Sequence, residues 1–232
     1  MGRQPVLWQM RSHWSSSFAE HPVWQEQPLR CGCVAGSSFL AEVYAWLPKR
    51  EVCLAKTLQP IIVYSDASWD EDGKVPPRLG WVDLVPGGQT LAGTMVLTSE
   101  LVQRWTPRKQ QIFAAETLAG LVIPMPDPDT FSSRDVVWFV DNEAACSTLI
   151  RGVCGPEDVA EIACITHMKL HKLSCRVWWE WIDSKSNPAD GLSRDGLQDA
   201  WTKTQGWSPQ EFEVPREAFM EASSYFSETL GS

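Results

Sequence analysis

The stretch Ile61-Ile62-Val63-Tyr64-Ser65-Asp66-Ala67-Ser68 predicts a buried strand that ends in a carboxylate. Its apolar and β-branched residues follow Gln59-Pro60 and precede small residues, which is typical of a central strand bounded by turns. An aspartate at that place is costly to desolvate unless it is paired or binds a metal, so Asp66 is a candidate site residue. A turn or capping role for Asp66 is an equally weighted alternative.

The segments that follow predict a mixed sheet. Residues 79–85 and 90–98 read as two further strands joined by short turns, with Gly93 as an expected bulge, and complete an antiparallel meander. Residues 135–142 repeat the opening pattern and deliver Asp141 at their end, and residues 175–182 form a fifth strand. The predicted class is therefore α/β, with three antiparallel strands and then two parallel ones, flanked by helices.

Helices are predicted between and after these strands. Pro107 is expected to open a helix that turns Glu116 towards the core, and another helix begins near Asp190. Further helices are predicted over residues 39–47, 99–105, 143–151 and 156–173. A charged residue on a core-facing helix surface is usually paired or coordinating, so Glu116 is also a candidate site residue.

Four carboxylates, Asp66, Glu116, Asp141 and Asp190, therefore come from separate elements that can meet at one sheet edge. Like charges in one place raise each other's pKa values unless cations compensate. Two divalent ions held by oxygen ligands would do so, with Mg²⁺ as the natural occupant and Mn²⁺ as the substitute. Such a pair can activate a water and stabilise the leaving oxygen of a phosphodiester.

The motifs around these acids resemble those of the ribonuclease H family. They are Tyr64-Ser-Asp66-Ala-Ser68, Ala114-Ala-Glu116-Thr-Leu-Ala119, Phe139-Val-Asp141-Asn142 and Asn187-Pro-Ala-Asp190-Gly-Leu-Ser-Arg194. More narrowly, the chain is similar to ribonuclease H domains fused to retrotransposon reverse transcriptases. The resemblance implies a ribonuclease H-like fold and endonucleolytic hydrolysis of the RNA strand of RNA–DNA hybrids.

Roles follow from the resemblance residue by residue. It implies that Asp66 bridges two metals, that Glu116 and Asp141 join it on one of them, and that Asp190 completes the other. It also implies that Asn142 and Asn187 contact the hybrid, and that Ser65, Ala67 and Ser68 are small enough to admit the 2′-hydroxyls of RNA.

Two features common in the family are missing. The loop Asp183-Ser184-Lys185-Ser186 has no histidine, and residues 156–173 contain only Lys169 and Lys172 in place of a basic protrusion. The expected consequences are slow turnover and weaker hybrid affinity. A non-catalytic, tethering module of the same fold remains the alternative function, whereas the order of the acids does not match transposases or exonucleases.

Length and composition bound the domains and partners. The chain has 232 residues and a formal net charge of −9, which argues against binding nucleic acid through general electrostatics. Residues 59–205 are the predicted ribonuclease H-like domain, and residues 206–232 are a tail. Residues 1–58 are an extension that the resemblance marks as a remnant of a reverse transcriptase connection region, whose parent polyprotein would supply partner domains.

Cysteine use and hydropathy bear on the compartment. Seven scattered cysteines and a start without an apolar segment predict an intracellular, cytoplasmic or nuclear protein that is not secreted. No apolar run is long enough to cross a membrane, so no membrane partner is expected.

Three further clusters have competing interpretations. Cys164, His167, His171 and Cys175 are candidate zinc ligands, although a buried thiol and two solvated histidines are favoured. The tryptophans of the fifth strand either stack on bases or, as favoured, fill the core. A third cluster either grips phosphate or lies at a solvated helix start, and consists of Arg104, Arg108 and Lys109.

Overall fold

The computed structural model describes residues 59–88, 90–221 and 224. Within them, six strands form one sheet in the spatial order β5-β4-β1-β2-β3-β6. The strands are β1 (Ile61–Ser68), β2 (Arg78–Leu84), β3 (Leu91–Val96), β4 (Asp135–Val140), β5 (Arg176–Trp181) and β6 (Gln210–Phe212). Strand β2 is antiparallel to β1 and β3, whereas β1, β4 and β5 are parallel. The predicted mixed sheet is confirmed.

The sixth strand is an addition to the five that were predicted. Strand β6 pairs in parallel with β3, from Gly93↔Gln210 to Met95↔Phe212. Only Phe212 of its three residues packs inward, with its ring centroid 5.3 Å from that of Trp81. So short and polar a segment has no alternating apolar pattern, and only its pairing with β3 makes it a strand.

Helices lie between the strands of the parallel half and after it. They are α1 (Ser99–Gln103), α2 (Ile112–Val122), α3 (Pro128–Phe131), α4 (Glu143–Arg151), α5 (Glu157–Lys172), α6 (Asp190–Asp195) and α7 (Ala200–Thr204). In the described ranges, 3₁₀ turns accompany them at Ser184–Ser186, Gly196–Gln198 and Arg216–Phe219. Apart from the start of α2, the predicted helices in the described part of the chain agree with these bounds to within two residues.

The predicted start of α2 at Pro107 is wrong, because the helix begins at Ile112. The preceding residues are held in a loop by side-chain contacts. The Gln111 amide donates to the Thr106 carbonyl at 2.8 Å, and the Arg108 guanidinium forms an ion pair with Asp158 of α5. These tertiary contacts override the preference of proline for a first helical turn.

The larger core cluster joins the sheet to α2, α4 and α5. Its centre includes Trp138, which is fully buried and lies 4.9 Å from the Trp179 ring, centroid to centroid. A smaller cluster of Val82, Ala92 and Leu192 joins β2 and β3 to α6. The central strands are therefore covered on both faces, which explains the nearly continuous apolar sequence of β1.

Two glycines allow close approach. Gly93 pairs with Trp81 in an unbroken register, so the predicted bulge is absent. A Cβ at Gly93 would lie 2.2 Å from the Trp81 ring, and one at Gly80 would lie 2.3 Å from the Ser193 nitrogen. Gly80 pairs with Asp66, so this glycine lets α6 rest directly on the part of the sheet that carries the first acid.

Some predictions lie outside the described residues. These are the extension at residues 1–58, its helix at 39–47, and residues 222–223 and 225–232 of the tail. In the part of the chain that is described, no helix combines the length and the hydropathy that crossing a membrane requires.

Candidate active site

The parallel pairing of β1 with β4 brings Asp66 and Asp141 to the same edge of the sheet. Ser65 pairs with Val140, so the next residue of each chain segment is one of the two acids. Helix α2 packs on β1 and places Glu116 beside them, where Glu116 Oε1 accepts a 2.8 Å hydrogen bond from the Ala67 backbone N–H. Three acids from three separate elements therefore meet.

The ligand oxygens of Asp66, Glu116 and Asp141 all lie within 4.8 Å of one another. Over residues 59–88 and 90–221, they form the one group of three or more metal-ligand side chains this close together. Asp66 and Glu116 are buried, at 5% and 2% exposure. The cluster opens into a cleft of about 620 Å³.

Asp190 lines the same cleft but lies outside this cluster. Its Oδ1 accepts a 2.8 Å hydrogen bond from Nε of Arg194, one turn later on α6, and the ion pair also places Arg194 Nη2 2.8 Å from Oδ1. The structure thus brings three of the four predicted acids together and places the fourth at the wall of the cleft.

The loop and helix that carry Asp190 are fastened to β1 by polar contacts. Asn187 Nδ2 donates to the Ser65 carbonyl at 2.9 Å, and its Oδ1 accepts from the Ala189 N–H at 3.1 Å. The Ser193 hydroxyl donates to Asp66 Oδ2, and Ser68 Oγ donates to the Ser193 carbonyl at 2.6 Å. These contacts fix α6 against the strand end and orient the Asp66 carboxylate.

Burial and the repulsion between like charges raise the pKa values of Asp66 and Glu116. Burial, followed by the charge of Asp141, raises the pKa of Asp66 to about 8, and the hydrogen bond from Ser193 opposes this shift. Burial, followed by the charges of Asp66 and Asp141, holds the pKa of Glu116 well above its usual range. Deprotonating both Asp66 and Glu116 is therefore unfavourable unless a positive charge joins them.

The residues present fit a divalent cation. Glu116 Oε2 is buried and accepts no hydrogen bond from the described part of the chain. An orphaned carboxylate oxygen is costly in a protein interior, and a hard cation is the natural partner of three converging carboxylates. The three acids could hold one such ion, and a second would need Asp190 to share the cleft with them.

The predicted substrate contacts fall into two groups. Ala67, Ser68 and Asn142 line the cleft, and Asn142 Oδ1 also caps α4 by accepting from the Ala145 N–H at 3.0 Å. Ser65 and Asn187 do not line it. Ser65 is fully buried, and its hydroxyl accepts from Trp138 Nε1 at 2.9 Å, so both residues act here as internal supports.

Sequence reasoning did not assign roles to Ser193, Arg194 or Trp69. Ser193 and Arg194 follow Asp190 by three and four residues, a helical spacing that places them near the same face and could have indicated a shared role. Trp69 lines the cleft directly after β1, and its indole N–H is buried without a hydrogen-bond partner among the described residues. No sequence pattern indicated that burial.

The structure also places the Cys/His cluster and the tryptophans of β5, for which the sequence left two interpretations. Among residues the structure describes, no metal-ligand group includes the four candidate zinc ligands, and His167 Nε2 lies 2.8 Å from the Leu149 carbonyl oxygen. Trp179 is buried as expected, whereas Trp178 and Trp181 are 62% and 50% exposed. The Trp181 indole donates to the backbone carbonyl of Asp141 at 3.0 Å.

The basic cluster before α2 is largely paired with acids. Arg108 forms its ion pair with Asp158, and Lys109 Nζ lies 3.5 Å from Glu71 Oε2. Arg104 is exposed at the end of α1. None of the three basic residues lines the acid-bearing cleft.

The sequence was compared with family models and with curated proteins. No family model and no curated protein matches the chain. The strand arrangement identifies the architecture. Three antiparallel strands are extended by two parallel ones, and acids lie at the shared edge. The chain has a ribonuclease H-like fold.

Two solved structures are similar to this fold. The ribonuclease H1 of the halophilic archaeon Halobacterium salinarum NRC-1 is 17% identical, with a TM-score of 0.43, and the match covers 60% of this chain and 98% of that one. The N-terminal ribonuclease H domain of a Mycobacterium tuberculosis protein, solved as a fusion with maltose-binding protein, is 12% identical with a TM-score of 0.39. That match covers 62% of this chain and 97% of the other.

Proposed function

We propose that the chain is a metal-dependent endonuclease that hydrolyses the RNA strand of RNA–DNA hybrids. One observation carries the proposal: Asp66, Glu116 and Asp141 place their oxygens within 4.8 Å of one another, and one Glu116 oxygen is buried without a partner. A module without a cation site has no reason to bear the cost of three converging buried acids. The neighbouring cleft gives a phosphodiester access to them.

The four acids divide into a converging group and an outer member. Asp66, Glu116 and Asp141 would hold a divalent cation, and Asp190 would complete the site of a second. Magnesium is the ion that suits such oxygen ligands, with Mn²⁺ as a substitute. When bound, the ions supply an activated water and stabilise the leaving oxygen of the phosphodiester.

The chain's own residues would orient the acids and select the RNA strand. Ser193 and the Ala67 N–H keep one oxygen of Asp66 and one of Glu116 engaged, so that their remaining oxygens are directed to the cation site. Ala67 and Ser68 leave room at the cleft wall, and Asn142 offers a polar amide there. Small residues beside polar donors suit a strand that carries 2′-hydroxyls, which is how proteins distinguish RNA from DNA.

The retroelement origin is also part of the proposal. It rests on the Leu192-Ser193-Arg194 ending and on the short α1 before the glutamate helix, both similar to retrotransposon reverse transcriptase fusions. Residues 1–58 would then be a remnant of a connection region, and reverse transcriptase domains of a parent polyprotein would be natural partners.

The test is cleavage of an RNA–DNA hybrid labelled on each strand in turn, with RNA–RNA and DNA–DNA duplexes of the same sequence as controls. The wild-type chain should cut only the RNA strand of the hybrid, and only with Mg²⁺ or Mn²⁺ present. Glu116→Gln should lower the rate by at least about a hundredfold, because it removes a charged metal ligand.

The matched control is Asp83→Asn, which changes a buried acid outside the cleft. It should retain the wild-type rate. Cleavage that survives Glu116→Gln would overturn the proposed site. A wild-type chain that neither cuts the hybrid nor binds a divalent cation would instead favour the non-catalytic, tethering module.

A further inference from the structure

Arg194 is the one cationic side chain among the described residues that line the acid-bearing cleft, which Asp66, Glu116, Asp141 and Asp190 also line. Its side chain is 67% exposed, and its Nε and Nη2 both lie 2.8 Å from the same oxygen of Asp190. Exposed ion pairs between residues four apart on a helix are weak. The partner of Arg194 is therefore easily exchanged.

Two other cations, Lys74 and Lys109, are paired with acids that are not candidate ligands. Lys74 Nζ lies 2.7 Å from Asp72 Oδ2, and Lys109 pairs with Glu71. Arg194 differs, because its partner Asp190 is an acid that a divalent ion would recruit. A cation at Asp190 would compete with the guanidinium for the same carboxylate and repel it.

We propose that Arg194 exchanges partners: it pairs with Asp190 in the metal-free protein and contacts a substrate phosphate once a divalent cation binds at Asp190. The inference rests on the proposed function. A guanidinium is well suited to phosphate because its planar donors match two phosphate oxygens. The net charge of −9 opposes nucleic-acid binding through general electrostatics, so a cationic contact beside the acids would favour binding.

The test measures hybrid binding separately from cleavage. Binding of a short RNA–DNA hybrid is followed by fluorescence anisotropy over a range of salt concentrations, with Ca²⁺ replacing Mg²⁺ to slow cleavage and gels confirming that the probe is intact. Arg194→Gln should weaken binding about tenfold, the loss expected for one charge-assisted hydrogen-bonding contact. It should also reduce the slope of log affinity against log salt by about 1.

Two further variants separate charge from geometry. Arg194→Lys keeps a point charge without the planar fork, so it should retain the salt slope and recover part of the affinity. Lys203→Gln makes the same charge change at an exposed position of α7 that does not line the cleft, and it should change neither quantity.

A second readout follows the cation alone. Calorimetric titration with Mn²⁺ should give Arg194→Gln an affinity at least equal to that of the wild type, because the variant lacks the group that competes for Asp190. An unchanged hybrid affinity and salt slope would overturn the inference. So would a drop in Mn²⁺ affinity large enough to explain the weaker hybrid binding, because Arg194 would then only orient Asp190.

The two proposals fail separately. If the wild type cuts the hybrid but Arg194→Gln leaves the salt slope unchanged, the nuclease stands and the exchange of partners is refuted. If the wild type cuts no hybrid but Arg194→Gln still reduces the slope and preserves Mn²⁺ affinity, Arg194 contacts phosphate and the nuclease proposal fails.

Discussion

Replacing Asp66 by asparagine should stabilise the metal-free protein at neutral pH. The burial of Asp66 and the charge of Asp141 raise its pKa to about 8, whereas an aspartate in an unfolded chain titrates near about 3.9. The folded state therefore binds a proton more tightly than the unfolded state. Its contribution to stability is complete below pH of about 4 and is lost as the pH rises towards about 8.

The size of the effect follows from this window. Each pH unit within it costs about 1.4 kcal/mol, so the penalty at pH 7 is on the order of 4 kcal/mol. Asp66 is 5% exposed, so solvent screens the effect little. Asparagine removes the penalty but weakens the hydrogen bond from Ser193, which costs about 2 kcal/mol. The expected net gain at pH 7 is about 2 kcal/mol, or roughly 4–8 °C in Tm.

The assay is thermal unfolding of wild type and Asp66→Asn in a chelator at pH 4.5 and pH 7, repeated at pH 7 with Mg²⁺. In the chelator, the variant should have the higher Tm at pH 7 and lose this advantage at about pH 4.5. Saturating Mg²⁺ at a hundred times its Kd should stabilise the wild type by about 2.7 kcal/mol and remove the advantage of the variant.

Two results would refute the reasoning. One is a variant that is less stable than the wild type by the same amount at both pH values in the chelator, because the raised pKa of Asp66 would then have no effect on folding. The other is a Tm of the wild type that does not respond to Mg²⁺ or Mn²⁺, because the three acids would then not form a cation site.

Three further predictions concern the surroundings of the site. Gly80→Ala should destabilise the fold by about 1–3 kcal/mol, because its Cβ would lie 2.3 Å from the Ser193 nitrogen and displace α6. Gly155→Ala is the control, because its Cβ would meet nothing within 4 Å. Equal Tm values for the two variants would contradict the prediction. Ser193→Ala should weaken Mn²⁺ binding in calorimetry by about tenfold or more through loss of the hydrogen bond to Asp66, with exposed Ser186→Ala unchanged. Burial raises the pKa of Asp83 well above its usual range, so the stability of the wild type falls as the pH rises above about 4. The Tm advantage of Asp83→Asn over the wild type should therefore grow with pH. A Tm difference that stays constant with pH would refute the raised pKa of Asp83 as its cause.

The sequence predicted the sheet well because the decisive signals are local. Strand β1 is a largely apolar run that carries Asp66 near its end, and β4 is one that ends just before Asp141. The helices between these strands indicate a parallel crossover. Two errors have a tertiary cause. Strand β6 exists only through its pairing with β3, and α2 begins late because side-chain contacts hold residues 106–111 in a loop.

Within the site, the identities of the acids are sequence information, and their distances are not. Strand alternation already separates Ser65 from Asp66, and the structure accordingly buries Ser65 beneath the cleft that Asp66 enters. The convergence of Asp66, Glu116 and Asp141, by contrast, depends on how a helix packs against two strands. Periodicity describes the faces of one element and carries no information about the gap between two.

The sequence by itself determined which strands end in carboxylates and that a helix brings a glutamate towards the core, because each follows from local hydrophobic patterning. Only the tertiary structure decided that three of the acids lie within ligand distance while Asp190 pairs with Arg194. The physical reason is that close packing of side chains fixes the distances between elements, as the contact of α6 with Gly80 shows. A local sequence pattern does not contain these distances.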